Sequence, residues 1–117
     1  MTREDYLEYC KGLTGAYLDA PFDGGDIIAA KHGDTKKWFA LIMRVGGKEA
    51  VNLKCEPAQS DLLRRAYEGV TPAYHMNKTH WNTVYLQSDV SDEEIMNMTD
   101  RSFLLTAKKI AAAKNRK

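Results

Sequence analysis

Residues 72–82 read Pro72-Ala73-Tyr74-His75-Met76-Asn77-Lys78-Thr79-His80-Trp81-Asn82 and bring imidazole, phenol, indole, ammonium and carboxamide groups into one short segment. These groups can both stack and hydrogen-bond. The segment lies between a predicted helix and a predicted strand, and connecting loops are where binding chemistry concentrates. Against a nucleic acid, Lys78 would meet a phosphate, Asn77 a base edge or sugar, and Trp81 or Tyr74 would stack on an unpaired base. The structural alternative is equally concrete. His80 and Trp81 enter the sheet core, while Asn77 and His75 hydrogen-bond the loop backbone and fix its shape. The residue types are compatible with both.

Other chemistries find less support. His75 and His80 are five residues apart with no Cys, Asp or Glu close by in sequence, whereas zinc takes three or four ligands at compact spacings. His32 would join them only through the tertiary fold. A thiolate pair of Cys55 with one of these histidines is possible in principle. Cys55, however, shares a predicted strand face with Val51 and Leu53, as a buried structural thiol would. Cys10 and Cys55 belong to no CxxC pair, and both are expected as reduced core thiols. There is no phosphate-binding glycine loop and no nucleophile elbow. The expectation is a non-catalytic protein with no metal and no cofactor.

Charge sets a further bound. Seventeen Lys and Arg face sixteen Asp and Glu, a net charge of +1. DNA binding by phosphate neutralisation therefore needs a local basic patch. Lys36, Lys37, Lys48 and Lys54 near the strand turns would extend such a patch from Lys78. Arg64 and Arg65 have the spacing of ordinary helix ion pairs with Glu68 and Asp61 on a solvated face. Arg101, Lys108, Lys109, Lys114, Arg116 and Lys117 follow an acidic block from Asp89 to Asp100. This polarity suits a terminal helix, and it also offers a basic tail to phosphate.

The positioning elements follow from periodicity and punctuation. Thr2 and Asp5 have the spacing of a helix start. Tyr6, Tyr9, Cys10, Leu13 and Tyr17 recur at helical spacing, predicting a helix over residues 3–14 that Gly12 and Gly15 weaken. Pro21 and Gly24-Gly25 mark a loop. Strands are expected over residues 26–32, 37–44 and 49–55. The run Trp38-Phe39-Ala40-Leu41-Ile42-Met43 is too continuous for a strand with one wet face, so it is expected to be central and covered on both sides. The connectors His32-Gly33-Asp34-Thr35 and Gly46-Gly47 are too short for parallel crossovers and imply an antiparallel meander. Pro57 opens a helix with Leu62, Leu63, Ala66 and Tyr67 as its buried face, ended by Gly69. An extended piece over residues 70–74 and a strand over 81–87 come next. A capping box, Ser91 with Glu94, starts a short helix bearing Ile95 and Met98. A second start near Asp100 opens a last helix lined by Phe103, Leu104, Ala107, Ile110 and Ala111.

This order of elements reads as α+β, one antiparallel sheet covered by helices. The 117 residues, 44% hydrophobic and 28% charged, are expected to form one domain. No apolar run approaches the roughly 18 residues of a membrane span. The charged start Met1-Thr2-Arg3-Glu4-Asp5 is not that of a secretory signal. A cytoplasmic protein without membrane association is expected.

The pattern Pro72-x-Tyr74-His75-Met76-Asn77-Lys78-x-His80-Trp81-Asn82-x-Val84 resembles the signature segment of the MmcQ/YjbR family of small bacterial proteins. Trp38-Phe39-Ala40, Leu53-Lys54-Cys55-x-Pro57 and Ser102-Phe103 fit the same family, so the resemblance extends over roughly residues 3–111. It implies the order α-β-β-β-α-β-β-α, similar to type III secretion chaperones, and DNA binding with a double-wing arrangement. The chain departs from the family at Ala73, where members often have Gly, and at Phe103, where they often have Tyr. The chaperone-like fold implies a protein partner as the alternative. A small-ligand pocket walled by the Tyr74–Trp81 segment is the third reading.

Overall fold

A computed structural model describes residues 1–108, in which α1 (Arg3–Lys11), β1 (Ala16–Asp19), β2 (Ile28–His32), β3 (Trp38–Val45), β4 (Lys48–Lys54), α2 (Pro57–Ala66), β5 (Val70–Pro72), β6 (Trp81–Tyr85) and α3 (Asp92–Thr106) follow in order. All six strands join one antiparallel sheet in the spatial order β1-β2-β3-β4-β6-β5. The α+β class and the antiparallel meander, here β2-β3-β4, are as expected.

Strand β3 explains the layering. Phe39 to Met43 are all buried. Ile42 joins the main core with Tyr6 and Cys10 of α1, Ile95 and Met98 of α3, and Val51, Leu53, Val84 and Leu86 of the sheet. Leu41 and Met43 point the other way and join Ala29, Trp38 and Met76 in a smaller cluster. All three helices contribute to the first cluster and none to the second. The sheet therefore has one helix-covered face and one helix-free face.

Three expectations change. Helix α1 ends at Lys11, capped by Gly12, and Tyr17 leaves the helical register to become part of β1, paired with Lys31. The cause is local: Gly15 sits at φ +75°, and its carbonyl accepts the Gly33 N–H at 2.8 Å. A Cβ on Gly33 would come within 2.7 Å of that oxygen, so only glycine lets the ends of β1 and β2 close together. The terminal pair of helices is a single helix, α3. Ser91 caps it by accepting the Glu94 N–H at 3.1 Å. Asp100, the expected second cap, lies mid-helix, and its carboxylate accepts from Tyr9 Oη at 2.5 Å. Leu104 is 73% exposed rather than lining the core, and Ile110 and Ala111 lie outside the described residues.

The third change concerns α2. Leu62 is 57% exposed and Ala66 is exposed, whereas Ser60 is 1% exposed. The inward face runs Ser60, Leu63, Arg64, Tyr67, at helical spacing. Two polar residues thus replace two apolar ones on the side that meets the sheet. Asp61 pairs with Arg65 at 2.6 Å as expected, but Arg64 turns inward instead of pairing with Glu68.

Cys10 and Cys55 are buried and free. Burial pushes the Cys10 thiol up to about 12, which keeps it protonated and a poor nucleophile. No helix among the described residues is long and apolar enough to cross a membrane.

Candidate nucleic-acid interface

The Tyr74–Trp81 segment lies across the helix-free face of the sheet. Its first anchor is a buried pair from β4 and β6. Thr83 Oγ1 donates to Asn52 Oδ1 at 2.5 Å, Asn52 Nδ2 donates to the Tyr74 carbonyl at 2.8 Å, and the Tyr74 N–H donates to Thr83 Oγ1 at 2.9 Å. Both backbone groups of Tyr74 are thereby satisfied by the sheet. Ala73 beside them is fully buried, and Met76 packs on the Leu41–Met43 cluster.

The second anchor is Arg64. Its Nε donates to Asn82 Oδ1 at 2.7 Å, and Nη2 donates to the carbonyls of Lys78 and, at 3.3 Å, Trp81. Asn77 closes the turn: its Oδ1 accepts from the N–H of Thr79 at 2.8 Å and of His80 at 3.2 Å. The His80 carbonyl then accepts from the Cys55 N–H at 2.8 Å. This assigns Asn77 the loop-fixing role that was one of its two readings and leaves only its Nδ2 to meet a ligand.

The remaining side chains face solvent. Tyr74 is 46% exposed; His75, Lys78 and His80 are exposed, and Trp81 is half-buried outside both core clusters. The entry of His80 and Trp81 into the sheet core does not occur, because alternation from Thr83 puts Trp81 on the face that has no helix to bury it. The rings of Tyr74 and His75 lie 3.9 Å apart at 51°. His75 sits at φ +63° and Lys36 at +67°, the two non-glycine residues among those described in the left-handed region. Such strain gathers at functional sites.

The lysines divide into two groups. Lys36 and Lys37 lie in the β2–β3 turn, next to Trp38, and Lys54 is the register partner of Trp81. These three share one end of the sheet with the loop. Lys48 lies at the opposite end, paired with Val45 at the far side of the eight-residue β3, roughly 25 Å away at about 3.3 Å per residue. It lines a cleft with Glu68 and Asp89. The backbone N–H groups of Gly69 and Glu68 hold the Asp89 carboxyl below its usual range, so it stays ionised there. Lys48 therefore does not extend the patch: the two tips of a meander point in opposite directions. Lys109, Lys114, Arg116 and Lys117 lie outside the described residues, and Arg101 pairs with Glu56 at 3.3 Å.

Register reveals a row that linear spacing hides. Tyr17 opposes Lys31, Lys31 opposes Trp38, and Lys54 opposes Trp81, so two aromatic–lysine sets, one on β1, β2 and β3 and one on β4 and β6, form a row at one end of the sheet, the β3–β4 pairing stopping at Ala40 and Leu53 between them. Neighbouring strands lie about 4.8 Å apart, giving a track roughly 19 Å wide. Lys31 is committed to Asp19 at 2.6 Å, and that bond raises its pKa. Lys36 sits over the Tyr17 ring at 5.7 Å. Among the described residues, Lys36, Lys37, Lys54 and Lys78 make no ion pair with an acid. Tyr17, Trp38 and Arg64 are the site residues that sequence spacing missed. Among the described residues, no cluster of three or more His, Cys, Asp or Glu is placed to hold a metal ion.

These features define a small α+β protein whose signature loop, clamped by Asn52, Thr83 and Arg64, covers the bare face of a six-stranded antiparallel sheet. The YjbR family model matches residues 11–105, and the chain belongs to that family. It is 37% identical to the uncharacterised Bacillus subtilis protein YyaQ, over 91% of this chain and 98% of that one. It is 34% identical to the uncharacterised Escherichia coli protein YjbR, over 88% and 85% of the two chains. A crystal structure of a Pseudomonas syringae protein superposes with a TM-score of 0.83 at 32% identity, covering 92% of this chain and all of the other. A Deinococcus radiodurans protein superposes with a TM-score of 0.83 at 28% identity, covering 95% and 83%.

Proposed function

We propose that this protein is a non-catalytic DNA-binding protein that holds a strand against the helix-free face of its sheet. The observation that carries the reading is the row Tyr17, Lys31, Trp38, Lys54, Trp81, continued by the exposed Tyr74–His75 pair. Alternating cations and rings are what a nucleic-acid strand requires: phosphates meet ammonium groups, and bases stack on π-faces with about 1–3 kcal/mol per base. Lys36, Lys37, Lys54 and Lys78 supply the phosphate contacts, and Tyr74 and Trp81 the stacking. Asn77 and Arg64 hold the loop and read nothing. Of the two wings, the β2–β3 tip takes part and the β3–β4 tip, with Lys48, does not.

The test is a fluorescence-anisotropy titration with a labelled oligonucleotide, single-stranded and duplex, at several salt concentrations. Four phosphate contacts predict a slope of log K against log salt of about −3 for single strands and about −3.6 for duplex. Lys78→Ala lowers its magnitude by about one contact. No binding to either form at micromolar protein and low salt overturns the proposal. Phe22 in the β1–β2 loop, 52% exposed and edge-on to Trp38 at 6.3 Å, also favours a protein partner. Retention of a specific protein at high salt by the same face would establish that second reading.

A further inference from the structure

Both tryptophans of the chain, Trp38 and Trp81, lie on the helix-free side of the sheet, and both are half-buried. The exposed rings of Tyr74 and His75 stand beside them. The Tyr74 N–H is seated on Thr83 at 2.9 Å, and Thr83 lies two residues, about 7 Å, along the same face of β6 from Trp81.

Such rings offer a π-face, and the form of DNA decides whether a base can meet it. In a duplex, both faces of an interior base are covered by neighbouring pairs about 3.4 Å away. A side chain reaches them only by wedging between two steps and unstacking them. A tryptophan half sunk in a sheet does not project far enough to do so. An unpaired base lies flat on the ring at no such cost.

The usual devices for reading a duplex through its grooves are missing from this face among the described residues. A helix in the major groove is one. All three helices sit on the other side, where α1 and α3 turn Glu4, Asp5, Glu8, Asp92 and Glu93 to solvent. A hairpin tip is the other. The β3–β4 tip is Gly46-Gly47 and carries no side chain. At the β2–β3 tip, Asp34 Oδ1 accepts from the Thr35 N–H at 2.7 Å, and Thr35 Oγ1 accepts from the Lys37 N–H at 3.2 Å. Lys36 lies over the Tyr17 ring at 5.7 Å. These side chains fold back on their own turn or on the neighbouring strand, which leaves Lys37 for a phosphate.

We infer that the helix-free face takes single-stranded DNA in preference to duplex. The assignment rests on the DNA-binding reading of the same face and names the form of DNA that it accepts. Trp81 and the Tyr74–His75 pair each receive an unpaired base, and Lys54 and Lys78 hold the phosphates beside them. Trp38 receives a base next to Lys36 and Lys37.

The test titrates the full chain with an oligonucleotide of about ten nucleotides, and separately with the blunt duplex of the same sequence, at one low salt concentration. Anisotropy of a label on the DNA reads binding, and tryptophan emission reads stacking, since both tryptophans lie on this face. The single strand should bind at least tenfold more tightly than the duplex and should quench the emission. Tyr74→Ala keeps the backbone bonds to Asn52 and Thr83 and should weaken single-strand binding about fivefold or more, the loss of one stacked base. Tyr74→Phe should retain the native affinity. A duplex affinity within tenfold of the single-strand value, or above it, overturns the inference and leaves the DNA-binding reading standing. No binding to either form overturns both. A single-strand preference without quenching, or one that Tyr74→Ala leaves unchanged, removes stacking as its basis and overturns the inference as well.

Discussion

On the face that carries the helices, Ile42, Val51, Leu53 and Val84 meet Ile95 and Met98 through apolar contact. On the opposite face, strands β4 and β6 present Asn52 and Thr83, and these meet the backbone of Tyr74 through directed hydrogen bonds. Apolar packing is non-directional and tolerates volume-conserving exchange. A polar clamp under a loop fixes one loop geometry and fails when any member is missing. The comparison teaches how the two faces differ in kind: the covered face holds the molecule together, and the bare face holds one loop at one position, where the proposed function places recognition. Of the family-signature residues, Asn77 and Asn82 serve that positioning, and others brace the sheet beneath it. Ser102 accepts the Lys54 N–H and donates to the Phe39 carbonyl, Phe103 packs 4.5 Å from His32 and 5.0 Å from Phe39, and the Cys55 backbone braces His80.

The comparison can be broken first at the covered face. Ile42→Ala should lower unfolding stability by about 2–5 kcal/mol through transfer and cavity effects, while the folded fraction binds DNA as before. Chemical denaturation with binding measured below the transition tests this. Weakened binding by fully folded protein would show that the two faces are not separable. Next comes Asn52→Leu, which leaves the Tyr74 carbonyl and the Thr83 hydroxyl without their partner. We expect a loss of about 2–3 kcal/mol, together with rapid hydrogen exchange in residues 74–81 and weaker DNA binding. A loss of stability with slow exchange in the loop would contradict the clamp.

A pH effect should be smaller. Burial lowers the pKa of His32, whose Nε2 lies 2.8 Å from Thr106 Oγ1 at the end of α3. The unfolded chain then binds the proton more readily than the folded one. Stability from this group is fully present above the ordinary imidazole value of about 6.5 and is lost as pH falls through the lower folded value. Urea unfolding at pH 7.5 and 5.5 should show that loss in the native protein and not in His32→Gln. An equal loss in the variant would place the proton elsewhere. The smallest stability effects belong to the exposed groups: Lys78→Ala and Lys48→Ala should each change stability by less than about 0.5 kcal/mol. The two should differ in salt-dependent binding, reduced in the first and unchanged in the second.

Sequence patterning captured what depends on neighbours in the chain. The buried run of β3, the Ser91 cap of α3, and the Gly46-Gly47 turn are local matters of period and backbone freedom. It missed what depends on rotation or register. The apolar spacing of α2 favoured Leu62 and Ala66, whereas the helix turns Ser60 and Arg64 inward because Asn82 offers Arg64 an acceptor. Tyr17 fitted a helical stripe until Gly15 broke it. The aromatic–lysine row draws on five strands, and no window along the chain contains it. The exposed loop was legible as a cluster of types, but its exposure followed only from finding the helices all on the other face.

The most direct measurement is an amide-shift map of the ¹⁵N-labelled protein titrated with a short single-stranded oligonucleotide. Shifts should concentrate at Tyr74 to Trp81, Lys36 to Trp38, Tyr17 and Lys54, with Ile95, Met98 and Lys48 unmoved. Shifts centred on α3 or on the Lys48 end of the sheet, with the loop silent, would contradict the assignment of recognition to the helix-free face.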